Sequence, residues 1–163
     1  MKAHAPSAAG FSLVEVTLAL GVAAFCLIAV LGMLPVGLKT QQASVQQTIA
    51  NNITSEIIGD LRAAYNGPGS NSSQFGIELK KLPPGKQQKY SPNPVYFALD
   101  GTKQNGSAGA IFKATITYFS ATDITDATLT LVDITISWPA AQADLTKVAG
   151  SVETVAVIDR KLP

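Results

Sequence analysis

Glu15 is a carboxylate at the start of a long apolar stretch, and it carries the most informative chemistry in this sequence. No residue from Val16 to Leu38 is charged, a run of 23 residues. A charged side chain at the centre of such a helix in lipid costs about 2.5 to 3.5 kcal/mol or more. The helix dipole would return only about 0.3 to 1 kcal/mol of that cost. No Lys, Arg or His lies near Glu15 on the same helix. We therefore expect Glu15 to need a positive partner other than a side chain of its own helix.

The other residue types that often do chemistry form no recognisable catalytic site. Cys26 is the single cysteine and lies in the apolar stretch, where a small hydrophobic role is expected and no intramolecular disulfide can form. Gly106-Ser107-Ala108-Gly109 lacks the lysine and helix of a phosphate-binding loop. Asp123, Asp126 and Asp133 could in principle bind Ca²⁺, but their spacing is not that of an EF-hand. We predict no metal site and no cofactor, and we expect these acids to lie in a solvated loop and on a strand face.

The charge balance argues against nucleic acid as a partner. Lys2 is the only charged residue before Phe11, so the chain from Phe11 onward carries 11 basic and 11 acidic residues. A neutral chain has no basic surface of the kind that neutralises phosphates. The lysines at positions 80, 81, 86 and 89 are interrupted by Pro83-Pro84-Gly85 and indicate a solvated loop.

Two kinds of helix are predicted in the first 65 residues. The uncharged run would extend about 35 Å as a helix, enough to cross a bilayer core of about 30 Å, and it is too long for the apolar region of a signal peptide, typically about 7 to 15 residues. Beyond Lys39, apolar residues recur every fourth position and predict an amphipathic helix. These are Val45, Ile49, Ile53, Ile57, Leu61 and Tyr65. Pro35 lies between the halves and indicates either a helix kink or simply the point of membrane exit.

The second half of the chain predicts an antiparallel sheet. A turn-rich segment after Tyr65 ends the helix, and residues 66–94 are expected to form a long connecting loop. About four strands follow, at residues 95–99, 111–119, 129–138 and 151–158. Phe112, Ala114, Ile116 and Tyr118 alternate with Lys113, Thr115 and Thr117, and Val132, Ile134, Ile136 and Trp138 alternate with Asp133, Thr135 and Ser137. That pattern predicts one packed and one wet face, with the amphipathic helix covering the packed face in an α+β fold.

The string Gly10-Phe11-Ser12-Leu13-Val14-Glu15, followed at once by the apolar run, resembles the class III prepilin leader junction of type IV pilins and type II secretion pseudopilins. The strand end Ile134-Thr135-Ile136-Ser137-Trp138-Pro139 is similar to minor pilins or pseudopilins of the PilV or GspI kind. The leader, Asn51-Asn52-Ile53-Thr54 and the segment Tyr96 to Thr102 also resemble the Verru_Chthon cassette B proteins, a pilin-like group. No C-terminal cysteine pair is present, so the disulfide-bounded loop of many adhesive pilins is missing.

The resemblance implies processing and assembly. A prepilin peptidase would cut after Gly10, removing the leader (residues 1–10) and with it the sole histidine, His4, and would methylate the new N-terminus at Phe11. Glu15 would pair with the ammonium of Phe11, in its own chain or in a neighbouring subunit. The mature chain would comprise a transmembrane and assembly helix (11–38), an amphipathic half (39–65), a connecting loop (66–94) and the β-sheet domain (95–163).

The implied function is structural. The chain would be a minor subunit of a pilus-like or secretion-pseudopilus filament, and it would not be an enzyme. Its partners would be other pilin-like subunits, the peptidase, an inner-membrane assembly platform and lipid. The N-terminus would be cytoplasmic and the C-terminal domain periplasmic, an orientation that Lys2 favours only slightly because Lys39 follows the run. A singly anchored periplasmic binding domain that never polymerises is the alternative, and an anchored hydrolase is a third reading that the loss of His4 disfavours.

Overall fold

The structure is a computed structural model that describes residues 10–65, 69–80, 82, 88–120 and 129–159. The chain divides into two compact units, residues 1–42 and 43–163, which we describe separately. Helix α1, Leu13–Tyr65, contributes its first part to the N-terminal unit and its last part to the C-terminal unit.

Helix α1 begins immediately after Ser12. The Ser12 carbonyl accepts hydrogen bonds from the amides of Glu15 and Val16 at 3.0 and 3.2 Å, and its hydroxyl accepts from the Val14 amide at 3.2 Å. A serine at this position satisfies amides that have no partner within the first turn. The helix contains Pro35, which removes one backbone donor. The backbone is helical at this position, and the kink stays a prediction.

The described residues of the C-terminal unit form one antiparallel sheet of six strands. They are β1 Gln88–Tyr90, β2 Val95–Phe97, β3 Lys103–Gln104, β4 Phe112–Ser120, β5 Leu129–Trp138 and β6 Gly150–Asp159. Their order is β3-β2-β4-β5-β6, and β1 pairs with the end of β4 beyond β2. A short 3-10 helix, Leu145–Lys147, lies in the connection between β5 and β6. The two longest ladders, β4 with β5 and β5 with β6, form the frame of the domain.

The core lies between one face of this sheet and the last part of α1. Ile53, Ile57, Leu61 and Tyr65 are buried on the helix, as their four-residue spacing predicted. The predicted inward residues of β4 and β5 are all buried as well, namely Phe112, Ala114, Ile116, Tyr118, Val132, Ile134, Ile136 and Trp138. Burial of apolar side chains from both elements in one cluster confirms the predicted α+β arrangement in which each covers the other.

Two features of the predicted sheet were wrong. The described sheet has six strands rather than about four. The two strands that were not predicted, β1 and β3, have only three and two residues, which is too few to show an alternating pattern. β1 falls in the segment that we expected to be a connecting loop. The outer face is also drier than predicted, since Thr117 and Ser137 are buried. Ser91 accounts for the burial of Thr117, because the Ser91 hydroxyl donates to the Ile116 carbonyl at 2.8 Å and lies 3.4 Å from the Thr117 hydroxyl.

Candidate functional site

The predicted assembly residues lie together at the start of the N-terminal unit. Gly10 and Phe11 precede the helix, and Glu15 lies in its first turn. Phe11, Glu15, Ala19 and Ala23 line one shallow depression along the helix surface, as residues spaced by four should. The Phe11 nitrogen is a peptide amide in this chain, so the predicted ammonium would exist only if the chain were cleaved after Gly10.

Glu15 has no cationic partner among the described residues. An ion pair among the described residues joins Lys147 Nζ to Asp144 Oδ2 at 3.6 Å, in the other unit. The Glu15 side chain is exposed, and the next charged residue along the helix is Lys39. At about 1.5 Å per residue those two positions lie about 36 Å apart along a helix, which is far too long for an ion pair. No basic side chain of this helix is therefore close enough to pair with Glu15.

The apolar part of α1 is exposed along its whole length. Every residue from Gly10 to Val45 is solvent-exposed, including sixteen large apolar side chains between Phe11 and Leu38, among them Phe25, Ile28 and Met33. The helix is long and apolar enough to cross a membrane by length and composition. An uninterrupted apolar surface of this size is stable only when lipid or other protein covers it. The helix is therefore consistent with a single membrane span.

The remaining predicted residues belong to other parts of the chain. Pro35 is twenty residues further along the helix, and Cys26 is exposed between them with its thiol free. Asp133 is on β5, whereas Asp123 and Asp126 lie outside the described residues. Within the described ranges no three His, Cys, Asp or Glu side chains are grouped as a metal site would require.

Sequence reasoning missed Asp60, a carboxylate on the buried face of α1. Its Oδ1 accepts from the Gln74 amide at 3.0 Å and its Oδ2 from the Phe75 amide at 2.9 Å, and the Ser73 hydroxyl lies 3.4 Å from Oδ1. Burial alone would raise the pKa of Asp60, but the hydrogen bonds from Ser72 and from these amides together lower it below its ordinary value of 3.8. Asp60 thus holds the segment after α1 against the helix. The sequence signal that could have identified Asp60 is its position three residues after Ile57, which places an acid on the helix face that is predicted to be buried.

Replacing Asp60 with asparagine is expected to reduce the free energy of unfolding by about 2 kcal/mol, because one of the two backbone amides would then face an NH₂ group instead of an acceptor. Urea unfolding of the full chain in detergent, followed by the fluorescence of the single tryptophan, Trp138, would measure this. The matched control is Glu56→Gln, an exposed carboxylate one turn earlier, with an expected change within about 0.5 kcal/mol.

The same variant tests the pH dependence. Since the folded pKa of Asp60 is lowered, the unfolded chain binds its proton more readily, and the stability from Asp60 is complete above about pH 4. That contribution is lost as the pH falls through the folded pKa. The loss of stability below pH 4 should therefore be shallower in D60N than in the wild type. Equal acid slopes for the two proteins would contradict the assignment.

The C-terminal unit also carries an open groove of about 460 Å³ between α1 and two loops. Ile49, Glu56, Phe75 and Asp100 are among its lining residues. Lys103, which also lines it, donates from Nζ to the Phe75 carbonyl at 2.7 Å. The groove offers both apolar contact and charges of either sign, a combination suited to a small polar ligand or a peptide side chain.

Comparisons with protein families, with curated proteins and with solved structures gave no match to this chain.

Proposed function

We propose that this chain is a structural subunit, of the minor kind, in a type IV pilus-like or type II secretion pseudopilus filament. A prepilin peptidase removes residues 1–10 and methylates Phe11. The mature subunit waits in the inner membrane, with its C-terminal domain in the periplasm, and the assembly platform then moves it into the filament through its N-terminal helix.

The observation that carries the proposal is Glu15, a carboxylate without a cationic partner in the described chain, at the start of an exposed helix whose next 23 residues are uncharged. A simple membrane anchor gains nothing from an acid at this position, because the charge adds a cost in lipid. The cost is offset when a positive group from an adjacent subunit approaches it. The ammonium at Phe11 is the one cation that cleavage after Gly10 creates at the required depth.

The assembly chemistry follows from these two groups. The apolar helix surface exchanges lipid contacts for contacts with other helices, and this exchange alone has little preference for register because both environments are apolar. A pair between Glu15 of one subunit and the ammonium of the next would supply the register. The charge pair therefore selects the axial position of each subunit, and the apolar contacts hold it there.

The alternative is a singly anchored periplasmic binding domain, and the groove beside Glu56 and Lys103 favours it. In that case the helix is only an anchor, and the groove holds the ligand. The two functions predict different locations for the chain. An anchored domain stays in the membrane fraction, whereas a filament subunit leaves it.

Fractionation separates these possibilities. Cells of the native host that produce the filament would be sheared, and the released filaments would be collected and probed for the chain. We expect the chain in the filament fraction, at a low ratio to the major subunit. Complete retention in the membrane fraction, while other subunits are released, would support the anchored domain instead.

A further inference from the structure

Strand β6 is a long open edge of the sheet. All ten of its residues pair one to one with β5, from Trp138 opposite Gly150 to Leu129 opposite Asp159, so the strand has no bulge. It is the last strand in the sheet order, and within the described ranges no strand pairs with its other side. Among the described residues, no backbone–backbone hydrogen bond outside the ladders involves residues 151–158. Alternate backbone amides and carbonyls of β6 therefore face outward without a strand partner.

The opposite edge of the same sheet is built differently. β3 has two residues and β1 has three, and both include a lysine, Lys103 and Lys89. Short strands and lysines are devices by which natural proteins prevent edges from pairing. β6 has neither lysine nor proline, and its one glycine is its first residue. Among the described strands, β6 is thus the edge that is long and free of these devices, and it can accept another strand.

The side chains of β6 define what such a strand would carry. On the outer face, Val155 and Val157 are 62% and 52% exposed, and Glu153 is exposed beside them. On the inner face Ala156 and Ile158 are buried. A partner strand would therefore place apolar residues against the two valines and a different residue against the glutamate.

The charge near Val155 is negative. Asp133 lies opposite Val155 on β5, and its Oδ1 is buried without a hydrogen-bond partner. Burial, and secondarily the negative charge of Glu153, raise the pKa of Asp133, while Lys89 lowers it less. A Lys or Arg brought beside Glu153 would reduce the repulsion between these two acids.

We propose that β6 binds an extended segment of a partner protein, which adds a strand to the sheet, packs apolar side chains against Val155 and Val157, and places a basic side chain beside Glu153. This inference stands on the C-terminal unit alone and does not rest on the proposed function.

A second copy of β6 fits this edge poorly. In an antiparallel pair of two β6 strands, the Glu153 of each copy would have no basic residue opposite it, so the negative charge on this face would stay uncompensated. No basic residue occurs between Gly150 and Asp159. β3 of a second copy offers only two residues for pairing. The ligand that fits is therefore a separate basic and apolar segment.

The test appends a seven-residue strand, Ser-Val-Thr-Val-Thr-Lys-Ser, to the full chain after Pro163 through a flexible Gly/Ser linker. Its two valines and its lysine alternate as the edge requires in an antiparallel pair. At the millimolar effective concentration that a short linker gives, a strand with a Kd of about 0.1 mM would slow exchange of the outward β6 amides roughly tenfold. Hydrogen exchange of the full chain in detergent measures this.

Three controls make the result specific. Replacing the lysine of the appended strand with glutamate, or Val155→Lys in β6, should remove most of the added protection, while Gln104→Lys at the opposite edge should leave it intact. Unchanged β6 exchange with the matched strand would overturn the proposal. Protection that the Lys-to-Glu change leaves intact would overturn the assigned role of Glu153. Equal β6 protection in the unmodified chain, lost on dilution, would show pairing between copies and would overturn the choice of partner.

Discussion

The chain carrying Glu15→Ala is expected to be cleaved and inserted in the membrane normally but to enter filaments at a level lower by a factor of roughly ten to one hundred, equivalent to about 1.4 to 2.8 kcal/mol. The reason is that the ammonium of the adjacent subunit would lose its counter-charge in an apolar environment. The amount of the chain in sheared filaments, relative to the amount in membranes, measures the effect.

Two variants at nearby positions separate charge from helix structure. Thr17→Ala removes a hydroxyl that donates to the Val14 carbonyl at 2.9 Å within the same helix, and we expect normal incorporation. Glu15→Asp keeps the charge on a shorter side chain and should restore part of the lost incorporation. Wild-type levels of E15A in filaments would remove the charge pair from the proposed mechanism.

Gly150→Ala is expected to lower the free energy of unfolding by about 2 to 3 kcal/mol, the upper part of the usual range for overpacking a core. Gly150 lies opposite Trp138 in the β5–β6 ladder, and a Cβ at this position would overlap Cζ2 of the indole and lie 2.6 Å from its Cε2. The indole is itself held, since Trp138 is 4% exposed and packs edge-on to Phe112 with ring centroids 5.7 Å apart. The indole can therefore move only by disturbing the core around Phe112.

The same substitution at Gly59 is the matched control and should have the opposite sign. Gly59 lies on an exposed surface of α1, and a Cβ there meets no heavy atom within 4 Å. Alanine in place of glycine inside a helix is expected to stabilise by about 0.5 to 1 kcal/mol. Urea unfolding of the full chain in detergent, followed by Trp138 fluorescence, measures both variants. Wild-type stability in G150A would show that the indole moves aside without cost.

The parts of the fold that could be predicted from the sequence are those in which one local period repeats. The alternation from Phe112 to Tyr118 assigned the buried face of β4 correctly, and the four-residue spacing from Ile53 to Tyr65 assigned the buried face of the helix. Val45 has the same spacing but is 48% exposed, because a period does not reveal where the partner surface ends. β1 and β3 are too short to show a period, and pairing with longer strands defines them.

The candidate site divides in the same way. Glu15 could be identified from the sequence because it is a single acid in an apolar pattern. Its partner could not be identified, because that partner would belong to another molecule or to an N-terminus created by cleavage. The role of Asp60 could be recognised only in the structure, since the hydrogen-bond donors to its carboxylate are amides of residues fourteen and fifteen positions later in the chain. The buried Thr117 likewise depends on Ser91, twenty-six residues away.

The most direct measurement is the mass of the mature chain purified from membranes of the native host. Cleavage between Gly10 and Phe11, followed by transfer of one methyl group, predicts a chain that begins at Phe11, with N-terminal fragment ions that place one methyl group on the nitrogen of Phe11. The proposed processing would be contradicted by a mature chain that still carries Lys2 and His4. It would also be contradicted by a chain that begins at Phe11 but lacks the methyl group, in cells that methylate their other filament subunits.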